Sequence, residues 1–146
     1  MSLKKYQEKR IFTKTPEPKG KVLRTSKSRF VVQEHWASHH HFDFRLEMNG
    51  VLKSWAVPKG VPEKKGEKHL AIQVEDHPVD YINFQGEIPE GLYGAGRVKI
   101  FDKGKYKLIK KTKDRIIFKL NGKKLKGEFS LLKFKEPNQW LLFKTR

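Results

Sequence analysis

His41-Phe42-Asp43-Phe44-Arg45-Leu46-Glu47-Met48-Asn49-Gly50-Val51-Leu52-Lys53-Ser54-Trp55-Ala56-Val57 decides how this chain folds. Polar His41, Asp43, Arg45 and Glu47 alternate with apolar Phe42, Phe44, Leu46 and Met48. Side chains two apart on a strand share a face, so the polar set lines one surface while the apolar set fills a core behind it. Asn49-Gly50 offers two residues that accept positive φ, the signature of a type I′ hairpin, and Val51–Val57 is the returning strand.

The same logic extends in both directions. Arg29–Trp36 reads as a strand before this hairpin. Pro58-Lys59-Gly60-Val61-Pro62 ends the hairpin, and residues 63–68 form a charged loop. His69–Glu75 alternates again, with Leu70, Ile72 and Val74 on one face. Residues 76–96, punctuated by Pro78, Gly86, Pro89, Gly91, Gly94 and Gly96, read as an ordered loop region. A meander follows: Arg97–Phe101 turns at Asp102-Lys103-Gly104 into Tyr106–Lys110. Lys113-Asp114 turns into Arg115–Leu120, Asn121-Gly122 repeats the I′ signal, and Glu128–Phe134 and Gln139–Lys144 complete it. Short strands at this spacing predict a mainly β chain, an antiparallel β-barrel. Residues 1–28 read as a basic arm packed on or near the site, with a short helix within Leu3–Phe12 broken at Thr15-Pro16-Glu17-Pro18-Lys19-Gly20; residues 29–146 read as the barrel domain.

Charge is distributed unevenly. The chain carries a formal +17, of which residues 1–28 contribute +7, residues 29–100 −1, and residues 101–146 +11. All six histidines fall in the middle section. Cationic flanks suit a polyanion, because lysines and arginines on phosphates release condensed counterions; nucleic acid is the expected partner, and no membrane is. There is no cysteine, so neither a disulfide nor a thiolate metal site is available. The start lacks the apolar stretch of a signal peptide, so a cytoplasmic, monomeric protein is expected.

On the polar face, His41 and Asp43 lie at i and i+2, and His35 on the preceding strand can reach the same point across a short turn. Two imidazoles and a carboxylate leave open positions for substrate on a catalytic ion, and Arg45 beside them suits a phosphate. A solvated strand face and the His/Asp/His triad of a non-haem iron oxygenase use the same residues, but neither calls for Arg45 and the flanking charge. His77, fixed at a strand end before Pro78, is placed for proton transfer or for a phosphoryl oxygen, and equally for a structural backbone contact. Lys59 in its rigid turn is either a phosphate clamp or a solvated cation. His39 and His40 read as exposed turn residues.

Several runs resemble a known family. Gln33-x-His35, His41-Phe42-Asp43-Phe44-Arg45-Leu46-Glu47, Gly50–Gly60, Val74-Glu75-Asp76-His77-Pro78-x-Asp80-Tyr81 and Ile88-Pro89-x-Gly91-x-Tyr93-Gly94-Ala95-Gly96 look like the 3′-phosphoesterase module of bacterial DNA ligase D, without an attached polymerase or ligase. Arg10-x-Phe12-x-x-Thr15-Pro16-Glu17-Pro18 and Trp140-Leu141-Leu142-x-Lys144 extend the likeness to nearly the whole chain. The resemblance implies a barrel with its site in a concave face. It implies a manganese-dependent enzyme, or one using another divalent transition metal, that removes 3′-terminal ribonucleosides and then the 3′-phosphate left behind. Its setting would be double-strand break repair by non-homologous end joining, on DNA or RNA–DNA primer-template ends, beside separate ligase and polymerase proteins. By motif match the metal ligands are His35, His41 and Asp43. Arg45 and His77 meet the phosphate, with Gln33, Lys59, Glu75, Tyr81, Arg10 and Glu17 around it. The sequence departs from the family at Ile11, where Asp is frequent, and at His69, where Arg is frequent. A non-catalytic nucleic-acid-binding barrel is the alternative.

Overall fold

The computed structural model describes residues 3–146; Met1 and Ser2 of the basic arm lie outside the described residues. A five-residue helix, α1 (Lys4–Glu8), precedes nine strands: β1 (Arg29–Trp36), β2 (His40–Met48), β3 (Val51–Val57), β4 (Lys68–His77), β5 (Gly86–Ile88), β6 (Gly96–Lys111), β7 (Arg115–Gly122), β8 (Lys126–Lys135) and β9 (Gln139–Lys144). A 3₁₀ turn, Val79–Asn83, joins β4 to β5. The sheet runs β1-β2-β3-β4-β9-β8-β7-β6, and β6 pairs back onto β1, closing an eight-strand antiparallel barrel with β5 as an extra strand on β6. Among the described residues no helix is long and apolar enough to cross a membrane.

The hairpin forms as its sequence predicts. Asn49 (φ 55°) and Gly50 (φ 82°) both adopt positive φ, and Met48 pairs with Val51 across the turn. The second Asn-Gly does not make such a turn. β7 continues to Gly122, whose N–H bonds the Leu125 carbonyl at 2.9 Å, so Lys123-Lys124 form the tip. Gly122 is required for another reason: a Cβ there would strike the Asp102 carboxylate and the Phe30 ring. Asp102 accepts the backbone N–H groups of Lys123, Lys124 and Leu125 at 2.8–3.1 Å, which fixes the tip from the side.

Asp102-Lys103-Gly104 is likewise not a turn. β6 runs unbroken for 16 residues, because one end pairs with β1 and the other with β7. This strand passes from one neighbour to the next and thereby closes the barrel, a task that a hairpin-by-hairpin reading cannot detect. β5 and the 3₁₀ turn also formed within the stretch expected to be loop.

Alternation builds two cores on the two sides of one wall. Phe30, Val32, Phe44, Leu46, Trp55, Phe118 and Phe129 point into the barrel and fill it, so the barrel is solid rather than a pore. Val31, Leu52 and Val98 point outward and are covered by Tyr6 of α1 and by Tyr81, Ile82, Phe84 and Ile88. Tyr6 is fully buried and its hydroxyl donates to the Pro18 carbonyl, so the arm is folded against the barrel wall. β4 inverts the expected facing. Ala71 points inward, opposite Trp140 and near the edge-to-face pair Trp55–Trp140 (5.8 Å), where two indoles leave room for only a small side chain. Leu70 is left 38% exposed, and Val74 faces the outer wall.

Candidate functional site

A cleft of about 290 Å³ lies on the outer face of the wall, between β1–β4 and the covering segments. His35, His41, Asp43, Arg45, Glu75, His77 and Tyr81 line it, together with Arg10 and Glu17 from the arm. Gln33↔Asp43 and His35↔His41 are register partners on β1 and β2, which brings residues ten and six positions apart into adjacent rows. A β-bulge sets the opposite side. Leu52 pairs with His77 and Ser54 with Val74, so β4 carries one more residue than β3 over this interval, and Glu75 and His77 both reach the cleft.

His35, His41 and Asp43 each offer one donor atom, and the three atoms lie within 4.8 Å of one another. His35 Nδ1 stands 3.5 Å from Asp43 Oδ2, and His41 Nε2 3.2 Å from Asp43 Oδ1. Donors about 2.1 Å from one ion stand roughly 3.0–3.4 Å apart, so the spacing suits a metal. The outer nitrogens strengthen the fit: His35 Nε2 donates to the Gly94 carbonyl at 2.7 Å, and His41 Nδ1 to the His39 carbonyl at 2.9 Å. Those bonds fix each tautomer and aim both remaining lone pairs at the Asp43 carboxylate. Three acceptors converging in a buried site need a cation between them, or protons. Burial pushes the Asp43 carboxyl up, but Arg45, and then hydrogen bonds from His35 and His41 when protons take the place of an ion between them, outweigh it and hold it far below the carboxylate range. The hydrogen bond to Asp43 raises His41, against the opposing effect of its burial.

Arg45 is the second centre of the cleft. Its Nε donates to Gln33 Oε1 at 2.7 Å, its Nη2 lies 3.6 Å from Asp43 Oδ2, and its ring neighbour Tyr81 lies 4.8 Å below. Nη1 is buried with no hydrogen-bond partner among the described residues. An orphaned buried guanidinium N–H is costly, which makes it a ready donor for an anionic oxygen. Gln33 is itself completely used: its Nε2 donates to the carbonyls of Tyr81 (2.7 Å) and Phe84 (3.1 Å). Gln33 therefore braces Arg45 and the cover rather than facing the cleft. Gln33→Leu should orphan Arg45 Nε and two carbonyls, lowering unfolding free energy by about 2–5 kcal/mol. Denaturant titration measures this, and an unchanged midpoint would show that the brace carries no load.

The arm closes the third side. Arg10 Nε pairs with Glu17 Oε2 at 3.0 Å, its Nη1 reaches Glu75 Oε2 at 3.4 Å, and its Nη2 meets His77 Nε2 at 3.3 Å. Tyr81 donates to Glu17 Oε2 at 2.6 Å and Thr15 to Glu17 Oε1 at 2.9 Å. Lys9 pairs with Glu75 Oε1 at 3.0 Å. Burial, followed by the positive charges of Arg45 and Arg10, pushes His77 well below the usual imidazole range. With Nδ1 donating to the Glu75 carbonyl at 3.0 Å, His77 is a neutral ring whose Nε2 accepts from Arg10.

Lys59 is not brought into the cleft. It is exposed in the turn closed by Gly60 N–H to Val57 carbonyl, three residues beyond the cleft-lining Ala56. His39 and His40 are exposed; His40 bonds Glu34 at 2.7 Å and stacks on Trp36. Of the two departures, Ile11 is 49% exposed, and His69 bridges the Gly60 carbonyl and Glu67, away from the cleft. Lys9, Thr15, Ser54 and the Gly94 carbonyl escaped the sequence reading. Lys9, Ser54 (Oγ 3.4 Å from His77 Nδ1) and Gly94 act through contacts distant in sequence, whereas Thr15 reaches Glu17 two residues on, and no residue pattern singles out any of the four.

A family model described as the DNA ligase D 3′-phosphoesterase domain matches residues 33–133. The chain is 44% identical over 155 residues to the multifunctional non-homologous end joining protein LigD of Pseudomonas aeruginosa, a match covering 99% of this chain and 18% of that protein. LigD of Mycobacterium bovis is 42% identical over 150 residues, covering 99% and 20%, and LigD of Mycolicibacterium smegmatis 40% over 154 residues, covering 97% and 20%. The chain thus spans about a fifth of the length of these curated relatives. With the fold, the three converging donors and these matches in agreement, this chain belongs to the DNA ligase D 3′-phosphoesterase domain family.

Proposed function

We propose that this chain is a divalent-metal-dependent phosphoesterase that heals nucleic-acid 3′ ends for non-homologous end joining, removing 3′-terminal ribonucleosides and 3′-phosphates. The observation that carries it is the juxtaposition of the His35/His41/Asp43 donor set with the unpartnered buried Nη1 of Arg45 in one cleft. Manganese suits two imidazoles and a carboxylate, and a bound divalent ion would supply Lewis-acid neutralisation of the phosphate charge. His35, His41 and Asp43 would hold it.

Arg45 then donates Nη1–H to a phosphoryl oxygen, its orientation already fixed by Gln33 and Asp43. His77, kept neutral between two guanidiniums with its one N–H on the Glu75 carbonyl, holds Arg10 Nη2 through its Nε2 lone pair and so positions that arginine at the phosphoryl group. Arg10, held by Glu17 and Glu75, adds fixed positive charge where negative charge grows, and preorganised charge of this kind is the main source of acceleration in phosphoryl transfer. Tyr81 and Glu17 position that arginine. Lys59 contributes a mobile cation for phosphates flanking the scissile one. Basic strands favour a polyanion: Lys107 and Lys119 are direct cross-strand partners on β6 and β7, an arrangement that is unfavourable without counter-charge. Among the described residues neither makes an ion pair.

The test is an end-labelled duplex with a recessed 3′-phosphate, incubated with the chain at increasing manganese. Phosphate release that requires the metal and stops with chelator is expected. Binding without release at any metal concentration would favour the non-catalytic nucleic-acid-binding barrel. Separate ligase and polymerase partners rest on the family resemblance alone, and nothing in this cleft bears on them.

A further inference from the structure

Tyr93 has no part in the chemistry above, yet its surroundings are built. It lies on the cleft rim and is 48% exposed. Its ring ends a column that begins with fully buried Tyr6. The Arg10 guanidinium carbon lies 3.9 Å from the Tyr6 centroid and 5.3 Å from that of Tyr93. The Lys9 ammonium stands 4.8 Å from the Tyr93 centroid and 3.4 Å from its hydroxyl.

The loop that carries the ring is also constrained. Gly91 (φ 87°) and Gly94 (φ 75°) take conformations that other residues avoid, and Leu92 and Ala95 N–H groups close two successive turns. The carbonyl of Gly94, next in the chain, is the acceptor for His35 Nε2. The ring is therefore held at a fixed place relative to the candidate metal ligands. A half-exposed aromatic that already takes cations over its ring, beside a phosphate cleft, matches a ligand that joins a π-face to a phosphate.

Resting on the phosphoesterase reading, we propose that Tyr93 is the stacking platform for a nucleobase of one of the two nucleotides flanking the scissile phosphate, extending the Tyr6–Arg10–Tyr93 column by one planar group. Stacking of this kind tolerates any base, so the subsite would add affinity without sequence preference.

A double-mutant cycle tests it. Wild type, Tyr93→Phe and Tyr93→Ala are each assayed on a normal primer end and on ends made abasic at the terminal or the penultimate nucleotide. Wild type should lose roughly 10- to 100-fold in kcat/KM when the stacked base is removed, Tyr93→Ala should lose about as much on the normal end, and the two losses should not add. Tyr93→Phe should stay close to wild type. If Tyr93→Ala acted only by loosening Gly94 and His35, its loss would be the same with and without either base, and manganese affinity would fall with it; that result overturns the proposal. The same cycle read as equilibrium affinity requires no turnover. A wild type that binds but never cleaves would sink the phosphoesterase reading while the stacking cycle is still scored.

Discussion

Asp43→Asn abolishes release of both terminal nucleoside and 3′-phosphate, with turnover falling roughly 10³-fold or more, while the barrel stays folded. The substitution keeps the side-chain volume but removes the charge on which both imidazole lone pairs converge. The interior core contains none of the three donors, so the melting temperature should move by only ~2–4 °C per kcal/mol lost in a chain of this size. His41→Ala should behave in the same way. The pH dependence of metal affinity follows with a definite sign. Asp43 raises the His41 pKa, so at pH below that raised value a proton competes with the ion, and affinity falls about tenfold per pH unit; above it the dependence flattens. Isothermal titration with manganese at several pH values checks this. An Asp43→Asn protein that keeps chelator-sensitive, near wild-type turnover would show that the ion is held elsewhere.

Wherever one residue type carries one structural instruction, the sequence was legible. Alternation over 41–48 placed β2, the two positive-φ residues at 49–50 placed its turn, and β1, β3 and β9 fall on the strands expected. The same alternation put His41, Asp43 and Arg45 on one face, and strand pairing then delivered His35 beside them. What could not be read depends on partners far along the chain. Gly122 serves the close approach of Asp102 rather than a turn, and β6 continues through Asp102-Lys103-Gly104 because it pairs with β1 up to and through this stretch and with β7 from Gly104 onward. The apolar face of β4 points outward because two tryptophans already occupy the interior at that height. In the site, the bulge that turns Glu75 and His77 into the cleft exists only in the pairing of β3 with β4. Arg10 and Glu17 are placed there only by the family resemblance, since no alternation or spacing in the arm marks them. Their position follows from Tyr6 burying itself on the outer wall and drawing the arm across the cleft.

A duplex primer ending in ribonucleotides is trimmed from its 3′ end, whereas an all-deoxy primer with a 3′-hydroxyl is left nearly intact. The cleft wall beside the donor set is a closed polar network: Glu17 takes Tyr81, Thr15 and Arg10, while Glu75 takes Lys9 and Arg10. Both carboxylates are buried, with Glu17 at 5% exposure, so a ribose hydroxyl entering here finds acceptors already oriented at low entropic cost. A deoxyribose in the same place offers no donor to the lone pairs that these carboxylates keep spare. Sites built to pair a hydroxyl reject the analogue lacking it by as much as about 10⁴–10⁵. The departure at Ile11 leaves this wall in place, because that side chain is half-exposed and does not line the cleft. Glu17→Gln keeps the size but weakens the hold on Arg10, and should narrow the ratio of ribo to deoxy cleavage more than it slows removal of a 3′-phosphate. A time course on paired primers, identical except for the terminal sugars, measures the ratio directly. Equal cleavage of both would sink the ribonucleotide reading and leave a general 3′-exonuclease or phosphatase in its place.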